Sequence, residues 1–294
     1  MKIFLVGVIL ICTLLSADDF IEIYSAYTNG SRVVIEGRVI DKEDRKTKES
    51  KIHSAFFNDE KKKVAVYLEV KGERFVVKSD DEAYFSFDID PKVKLKRGES
   101  ITLQTDDKKS LQSLEPFFPS SQKHIGVISD FDDTVVVSDV TSKGKLIYNT
   151  FFKNYKEREI VTQVEKKIKK ILKSNKLQDD VALFFISGSP HQLNNNIKNF
   201  LEYHHFQKTA ILTKKIHGED KDSLHASIAY KYDKIVRLIE IYPQVKWVLF
   251  GDSGEKDAEI YLKVLKNYPK SVEDIYIRDV ESKKVEKIRN DIKK

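Results

Sequence analysis

Two hydrophobic rhythms divide this chain. From residue 20 to 105 apolar and polar positions alternate with a period of two. Val33, Ile35 and Val39 share one face of a segment whose other face carries Glu36 and Arg38. Val64, Val66, Leu68 and Val70 repeat the pattern, as do Phe85, Phe87 and Ile89, then Ile101 and Leu103. Asn29-Gly30 and Arg97-Gly98 supply turn chemistry between runs. Short amphipathic strands without helical spacing predict a small antiparallel β-sandwich. From Ile125 the rhythm changes. Solid apolar runs near 125–130, 181–187, 209–213, 246–251 and 273–279 alternate with helical spacing near 156–173, 191–203, 226–242, 257–268 and 281–292. Apolar runs of that kind are strands buried on both faces of a parallel sheet. The fold class predicted is therefore α/β, a Rossmann-like three-layer parallel sheet preceded by the sandwich. Between them residues 107–123, rich in charge and serine and carrying Pro116 to Pro119, are predicted to be a linker with Phe117 and Phe118 pinned on a domain.

The N-terminus adds an address. Lys2 precedes an apolar run from Ile3 to Leu15, then Ser16 and Ala17. The run is short of the roughly 20 residues a membrane span needs. It predicts a secretory signal peptide over 1–17 and a periplasmic location, with an uncleaved anchor as the alternative. A sandwich domain over 18–106 and a catalytic domain over 124–294 follow. The single cysteine, Cys12, lies inside the apolar run, so a mature chain has no disulfide or thiolate metal site and is left with oxygen-ligand chemistry. The net charge of +6, from 52 Lys+Arg and 46 Asp+Glu, is a mild excess compatible with acidic substrates or anionic lipid headgroups. It is too diffuse for a nucleic-acid interface, and no nucleic-acid-binding motif is present. Lysines cluster over 164–173, but Val164, Ile168, Ile171 and Leu172 keep an apolar stripe, so this reads as a surface helix with a basic face, a candidate for meeting a membrane surface.

The chemistry begins where the first parallel strand ends. In IGVISDFDDTVV, residues 125–136, the apolar run stops at Asp130, Asp132, Asp133 and Thr134. Residues beyond the carboxyl ends of such strands form the ligand crevice. Three crowded acids repel one another unless a cation intervenes, which points to a hard divalent ion, Mg²⁺. A carboxylate beside such an ion can also attack phosphorus. Two further runs end in polar turns: 181–186 leads into Ser187, Gly188, Ser189 and Pro190, and 247–250 into Gly251, Asp252, Ser253, Gly254, Glu255, Lys256 and Asp257. Lys231 opens a helical stretch between them.

DxDxT, a strand-end Ser, a Lys and GDxxxxD, in this order, resemble the motifs of the haloacid dehalogenase superfamily. DFDDTV, ISGSPHQL, YKYDKIVRLIEIYP, LFGDSGEKDAEIY and IYIRDV are similar to the signature of the actin-patch-type phosphatidate phosphatases and cover residues 125 to 280. The resemblance implies a Mg²⁺-dependent phosphatidate phosphatase. Asp130 would be the nucleophile and Asp132 the acid and base. Thr134, Ser187 and Gly188 would hold the phosphoryl group or order its loop, and Lys231 would be the cation between nucleophile and phosphate. Lys234, Lys214, Lys215 and Lys221 compete for that last role. Asp130, the carbonyl of Asp132 and Asp252 would hold the metal, assisted by Asp257 or Glu255; Asp257 as a helix cap is the rival reading. Gly188 and Ser189 are expected at a helix start, with His191 in the same turn as a candidate headgroup contact. Asp133 and Arg278 match family positions without an assigned role. Neither the gap after Thr134 nor that from Ser187 to Lys231 has room for a full cap domain, which suits a large substrate such as an anionic phospholipid at a membrane surface. The alternatives are another phospholipid or soluble phosphomonoester, or a lipid-binding module that has lost catalysis.

Overall fold

In a computed structural model of the chain, residues 19–41, 63–106, 110–137, 155–175, 177, 180–206, 208–215, 223–254 and 256–279 are described. The predicted signal segment, residues 138–154, Lys221, Glu255 and the expected helix over 281–292 lie outside them.

The alternating half folds into two facing antiparallel sheets. One holds β1 (Asp19–Thr28), β2 (Val33–Asp41) and β5 (Tyr84–Ile89). The other, in the order β4-β3-β6-β7, holds β3 (Ala65–Val70), β4 (Glu73–Lys78), β6 (Ile101–Thr105) and β7 (Leu111–Leu114). The residues assigned inward by alternation meet in one core: Val33, Ile35 and Val39 against Val66, Leu68, Phe85, Phe87, Ile101 and Leu103. The stretch read as a linker needs correction. Its first part is β7, an edge strand paired antiparallel with β6. Its short length and surroundings hid a strand with one exposed face, Leu111 and Ser113, and one half-buried face, Gln112 and Leu114.

The second half is a five-stranded parallel sheet in the order β10-β9-β8-β11-β12. Its strands are β8 (His124–Asp130), β9 (Leu183–Pro190), β10 (Ala210–Lys214), β11 (Val245–Asp252) and β12 (Val272–Arg278). The helices are α1 (Thr162–Ser174), α2 (Asn194–Tyr203), α3 (Ser223–Ile241) and α4 (Asp257–Asn267). Successive strand residues point to opposite faces, so each strand feeds two cores. Ile128, Phe184, Leu212 and Leu249 pack with Ile235 and Leu238 of α3 and Ile260 and Val264 of α4. Val127, Phe185, Ile211 and Phe250 pack with Val164 and Ile168 of α1 and Ile197 and Phe200 of α2. This is the expected three-layer α/β architecture. Chain order reverses beside β8, which places a crevice at the carboxyl ends of β8 and β11.

The sandwich is joined to the flank of this sheet. Tyr27 of β1 is fully buried in the α3/α4 core, edge-on to Phe184 at 5.5 Å. Phe117 joins it there and exchanges backbone bonds of 2.9 Å with Ala26 and Thr28. Asn29 Nδ2 donates to the Ile241 carbonyl at 2.7 Å and the Tyr242 hydroxyl to that of Thr28 at 3.1 Å. Register slips between Ile23 and Ser25, a bulge that presents Tyr24 to the neighbouring domain. There its ring stacks on His191 with centroids 4.7 Å apart. His191 is thus a domain-interface residue rather than a headgroup contact, and its Nδ1 lies 2.8 Å from Thr213 Oγ1.

Burial pushes the His191 imidazole down from 6.5 to about 4, with Glu36 opposing and Lys234 and Lys215 assisting. The folded chain then binds fewer protons than the unfolded chain between those values. Stability present above pH 6.5 is lost as pH falls toward 4, by at most about 3 kcal/mol from this group. Urea unfolding across that range should show the decline, and His191→Asn should flatten it; an unchanged slope would mean that His191 is not held neutral.

Candidate active site

The carboxyl end of β8 carries the acids in a tightly stapled loop. Val135 and Val136 donate backbone bonds to the Phe131 carbonyl at 3.0 and 3.2 Å, closing the turn. Asp133 sits at a left-handed φ of 55°, a conformation that Asp tolerates better than most residues. Arg278 at the end of β12 donates through Nη1 to the Asp133 carbonyl and fixes that turn. A role for Arg278 thus emerges that the sequence left open.

Asp130 is buried, and its Oδ1 lies 2.7 Å from the Lys231 ammonium. The same ammonium, itself only 2% exposed, is 2.7 Å from Asp257 Oδ1. Oxygens of Asp130, Asp252 and Asp257 lie within 4.8 Å of one another. Of the competing lysines, Lys234 pairs with Glu36 and Lys215 with Asp80 and Glu82, all on the sandwich. Lys231 is the lysine brought to the acids.

Asp132 faces the other way. Its Oδ2 accepts hydrogen bonds from Ser187 Oγ at 2.7 Å and Ser189 Oγ at 2.9 Å. Its carboxylate is not part of the three-acid group, which leaves its carbonyl as the contribution it can make to a metal. The Ser189 side chain was missed in the sequence, where only its backbone drew attention. Ser187 therefore orders the acid loop. The Thr134 hydroxyl is fully buried and, among the described residues, makes no hydrogen bond, and neither does Asp132 Oδ1. The expectation that Gly188 and Ser189 open a helix fails. Both belong to β9, which runs on to Pro190, and α2 starts at Asn194 after a single 3-10 turn. Parallel pairing of Pro190 with Lys214 holds the strand extended past its predicted end.

The third motif depends on one glycine. A Cβ on Gly251 would lie 2.6 Å from Asp257 Cβ and 2.7 Å from its Oδ2. Only a bare backbone lets the first residue of α4 tuck under β11. There Asp257 Oδ2 accepts from the Asp252 amide at 3.3 Å, while Asp252 Oδ1 accepts from the Gly254 amide at 2.5 Å. The Asp257 cap reading is superseded, because Lys256 holds the cap position. Beneath them Tyr261 donates to the Phe250 carbonyl at 2.8 Å. Burial, then Asp257 and Asp130, push its hydroxyl well above its usual range, so it stays a neutral donor.

The donor set suits a hard divalent cation. Three buried carboxylates stand together around one ammonium, which meets Asp130 and Asp257, and the negative charge in excess of it is expensive to desolvate. Asp130 and Asp252 are placed to hold such a cation. Asp257 lies in the same group, but both of its oxygens are already engaged.

A central, buried acid loop on a parallel sheet, a lysine bridging it to a second acidic turn and a separately held third aspartate are the arrangement that the order of the motifs predicts. The chain belongs to the family described as phosphatidate phosphatase APP1, catalytic domain, whose model matches residues 125–279. Phosphatidate phosphatase APP1 of Saccharomyces cerevisiae is 29% identical over 185 residues, 61% of this chain and 30% of that protein. An uncharacterized Schizosaccharomyces pombe protein is 26% identical over 240 residues, 79% of this chain and 38% of its own length. The chain spans about a third of the length of these relatives. Among solved structures, the haloacid dehalogenase domain of the Legionella pneumophila effector Lem4 is similar at 16% identity and a TM-score of 0.36, over 58% of this chain and 95% of that one.

Gly251→Ala is expected to expel Asp257 from its seat, costing about 1–3 kcal/mol of stability and at least tenfold in kcat by releasing Lys231. Thermal unfolding and turnover together check this; a variant of wild-type stability and rate would show that the close approach does not govern the site.

Proposed function

We propose that the chain is a Mg²⁺-dependent phosphatidate phosphatase that releases diacylglycerol and phosphate through an aspartyl-phosphate. The observation that carries this reading is the Lys231 ammonium shared by Asp130 and Asp257, with Asp132 held apart on two serines. It separates a nucleophile from an acid only two residues away. Asp130 attacks phosphorus in line, its oxygen–phosphorus bond forming as the bond to the alcohol oxygen breaks. Asp132 gives its proton to that leaving oxygen. It then takes a proton from the water that cleaves the aspartyl-phosphate, restoring both carboxyl groups. Lys231 balances charge on Asp130 and the phosphoryl oxygens, and the buried Thr134 hydroxyl is a donor for the latter. Mg²⁺ held by Asp130 and Asp252 supplies further charge neutralisation.

Substrate size supports a lipid. Between β9 and α3 the described residues form only a 3-10 turn, α2 and β10, with no cap domain. Exposed Lys166, Lys167, Lys170 and Lys173 on α1 give a face suited to an anionic membrane surface. Among the described residues no helix is long and apolar enough to cross a membrane. In our reading that surface is met from the periplasm.

Phosphate release from phosphatidate in mixed micelles with Mg²⁺ is the test. Asp130→Asn is expected to lose about 10⁴-fold or more in kcat, and chelation with EDTA to abolish release. Turnover of small esters with none of micellar lipid would move the substrate to soluble phosphomonoesters; undiminished release by Asp130→Asn would remove the mechanism.

A further inference from the structure

Arg158 is absent from every motif above, yet it stands beside the acid loop. Its guanidinium carbon lies 5.6 Å from the Phe131 ring centroid and 5.9 Å from that of Phe200. Phe131 is the residue between Asp130 and Asp132, so Arg158 rests on the turn that carries the chemistry. Its backbone is held there as well. Val137 donates to the Glu159 carbonyl at 2.9 Å and Val161 to that of Val135 at 2.8 Å, an antiparallel clamp that pins residues 159–161 to the loop. The side chain is half-buried, and desolvation lowers its pKa against the pull of Asp132 and Asp133. Among the described residues it makes no hydrogen bond or ion pair. A planar cation with five N–H donors, stripped of part of its water and parked on aromatic faces, is organised to receive an oxygen acceptor.

We propose that Arg158 is a specificity-determining residue whose guanidinium binds an oxygen acceptor of the leaving alcohol, the ester carbonyl next to the scissile phosphate in a glycerolipid. Its seat against Phe200 of α2, on the flank of β9 whose Ser187 and Ser189 hold Asp132, carries this. Asp132 meets the leaving oxygen, whereas the phosphoryl group sits over Asp130 and Lys231. An acceptor a few atoms beyond the leaving oxygen therefore falls on the Asp132 and Arg158 side of the crevice. A simple aryl phosphate has no such acceptor. The inference rests on the phosphohydrolase reading and adds the feature by which that site selects its substrate.

The full chain with Mg²⁺ is assayed on dihexanoyl phosphatidate and on phenyl phosphate, with inorganic phosphate as product inhibitor. Arg158→Ala is expected to lower kcat/KM on the diacyl substrate by about 10- to 100-fold, the worth of one charge-assisted hydrogen bond. On phenyl phosphate the change stays within threefold, and the inhibition constant for phosphate does not move. Arg158→Lys recovers part of the loss. Parallel losses on both esters, or a weakened phosphate inhibition, would show a scaffold or phosphoryl contact and overturn the proposal, as would no loss on either. Wild-type turnover with parallel losses refutes the Arg158 role alone. A wild-type chain inactive on both esters refutes the phosphohydrolase reading and takes this proposal with it.

Discussion

A lysine ammonium with almost no contact with water is the constraint from which the rest of this structure follows. Burying Lys231 costs several kcal/mol unless carboxylates meet it with good geometry, and Asp130 and Asp257 do so at 2.7 Å each. That requirement reaches outward. Asp257 gets there because Gly251 has no side chain. Asp130 gets there because β8 is the central strand, hydrogen-bonded on both sides by β9 and β11. Lys231 gets there because α3 is indexed in rotation by pairs three and six residues further on, Lys234 with Glu36 and Arg237 with Asp88. Burial alone would raise the Glu36 carboxyl, and Lys234 beside it prevails and holds it below its usual value.

The same division explains how acids so close in sequence avoid acting as one group. Asp130 points to the ammonium, and Asp132 points to two serines on β9. Two residues separate them along the chain, but the loop places them in different electrostatic surroundings. In the proposed mechanism, nucleophile and acid are told apart by these partners rather than by their order.

The parallel sheet was legible because strands buried on both faces must be apolar throughout, as residues 125–130 and 246–251 are. That Asp130 and the third-motif acids would gather was legible because charge at the end of such a strand has no structural excuse, and Lys231 stood out by its place in the motif order. What escaped had no periodic or charge signature. β7 is a four-residue edge strand with one face exposed and the other only half-buried, too short to show a period. The extension of β9 through Gly188 depends on pairing with β10, which leaves no trace in the local sequence. The Ser189 hydroxyl, the clamp from Arg278 and the seat of Arg158 are contacts between distant segments. His191 looked like a site residue because it follows the second motif directly. The bulge at Tyr24 that claims it lies 167 positions earlier in the numbering, from 191 back to 24.

The sandwich has the placement of a wall rather than a lid. A lid must part from its partner at a cost thermal motion can supply, so its contacts are few and wet. Here Tyr27 is wholly inside the core beneath α3 and α4, and Phe117 follows it. Swinging the sandwich away would expose that ring and strand the half-buried Glu36 and Lys234 charges at once. Its contacts also run the length of the flank, from Asn29 and Thr28 at the carboxyl end of α3 to Tyr84 and Gln192 beyond the end of β9. A body tied at both ends of one side stays fixed beside the crevice mouth between β8 and β11. Whatever the sandwich contributes there comes from its standing contacts rather than from swinging over that mouth.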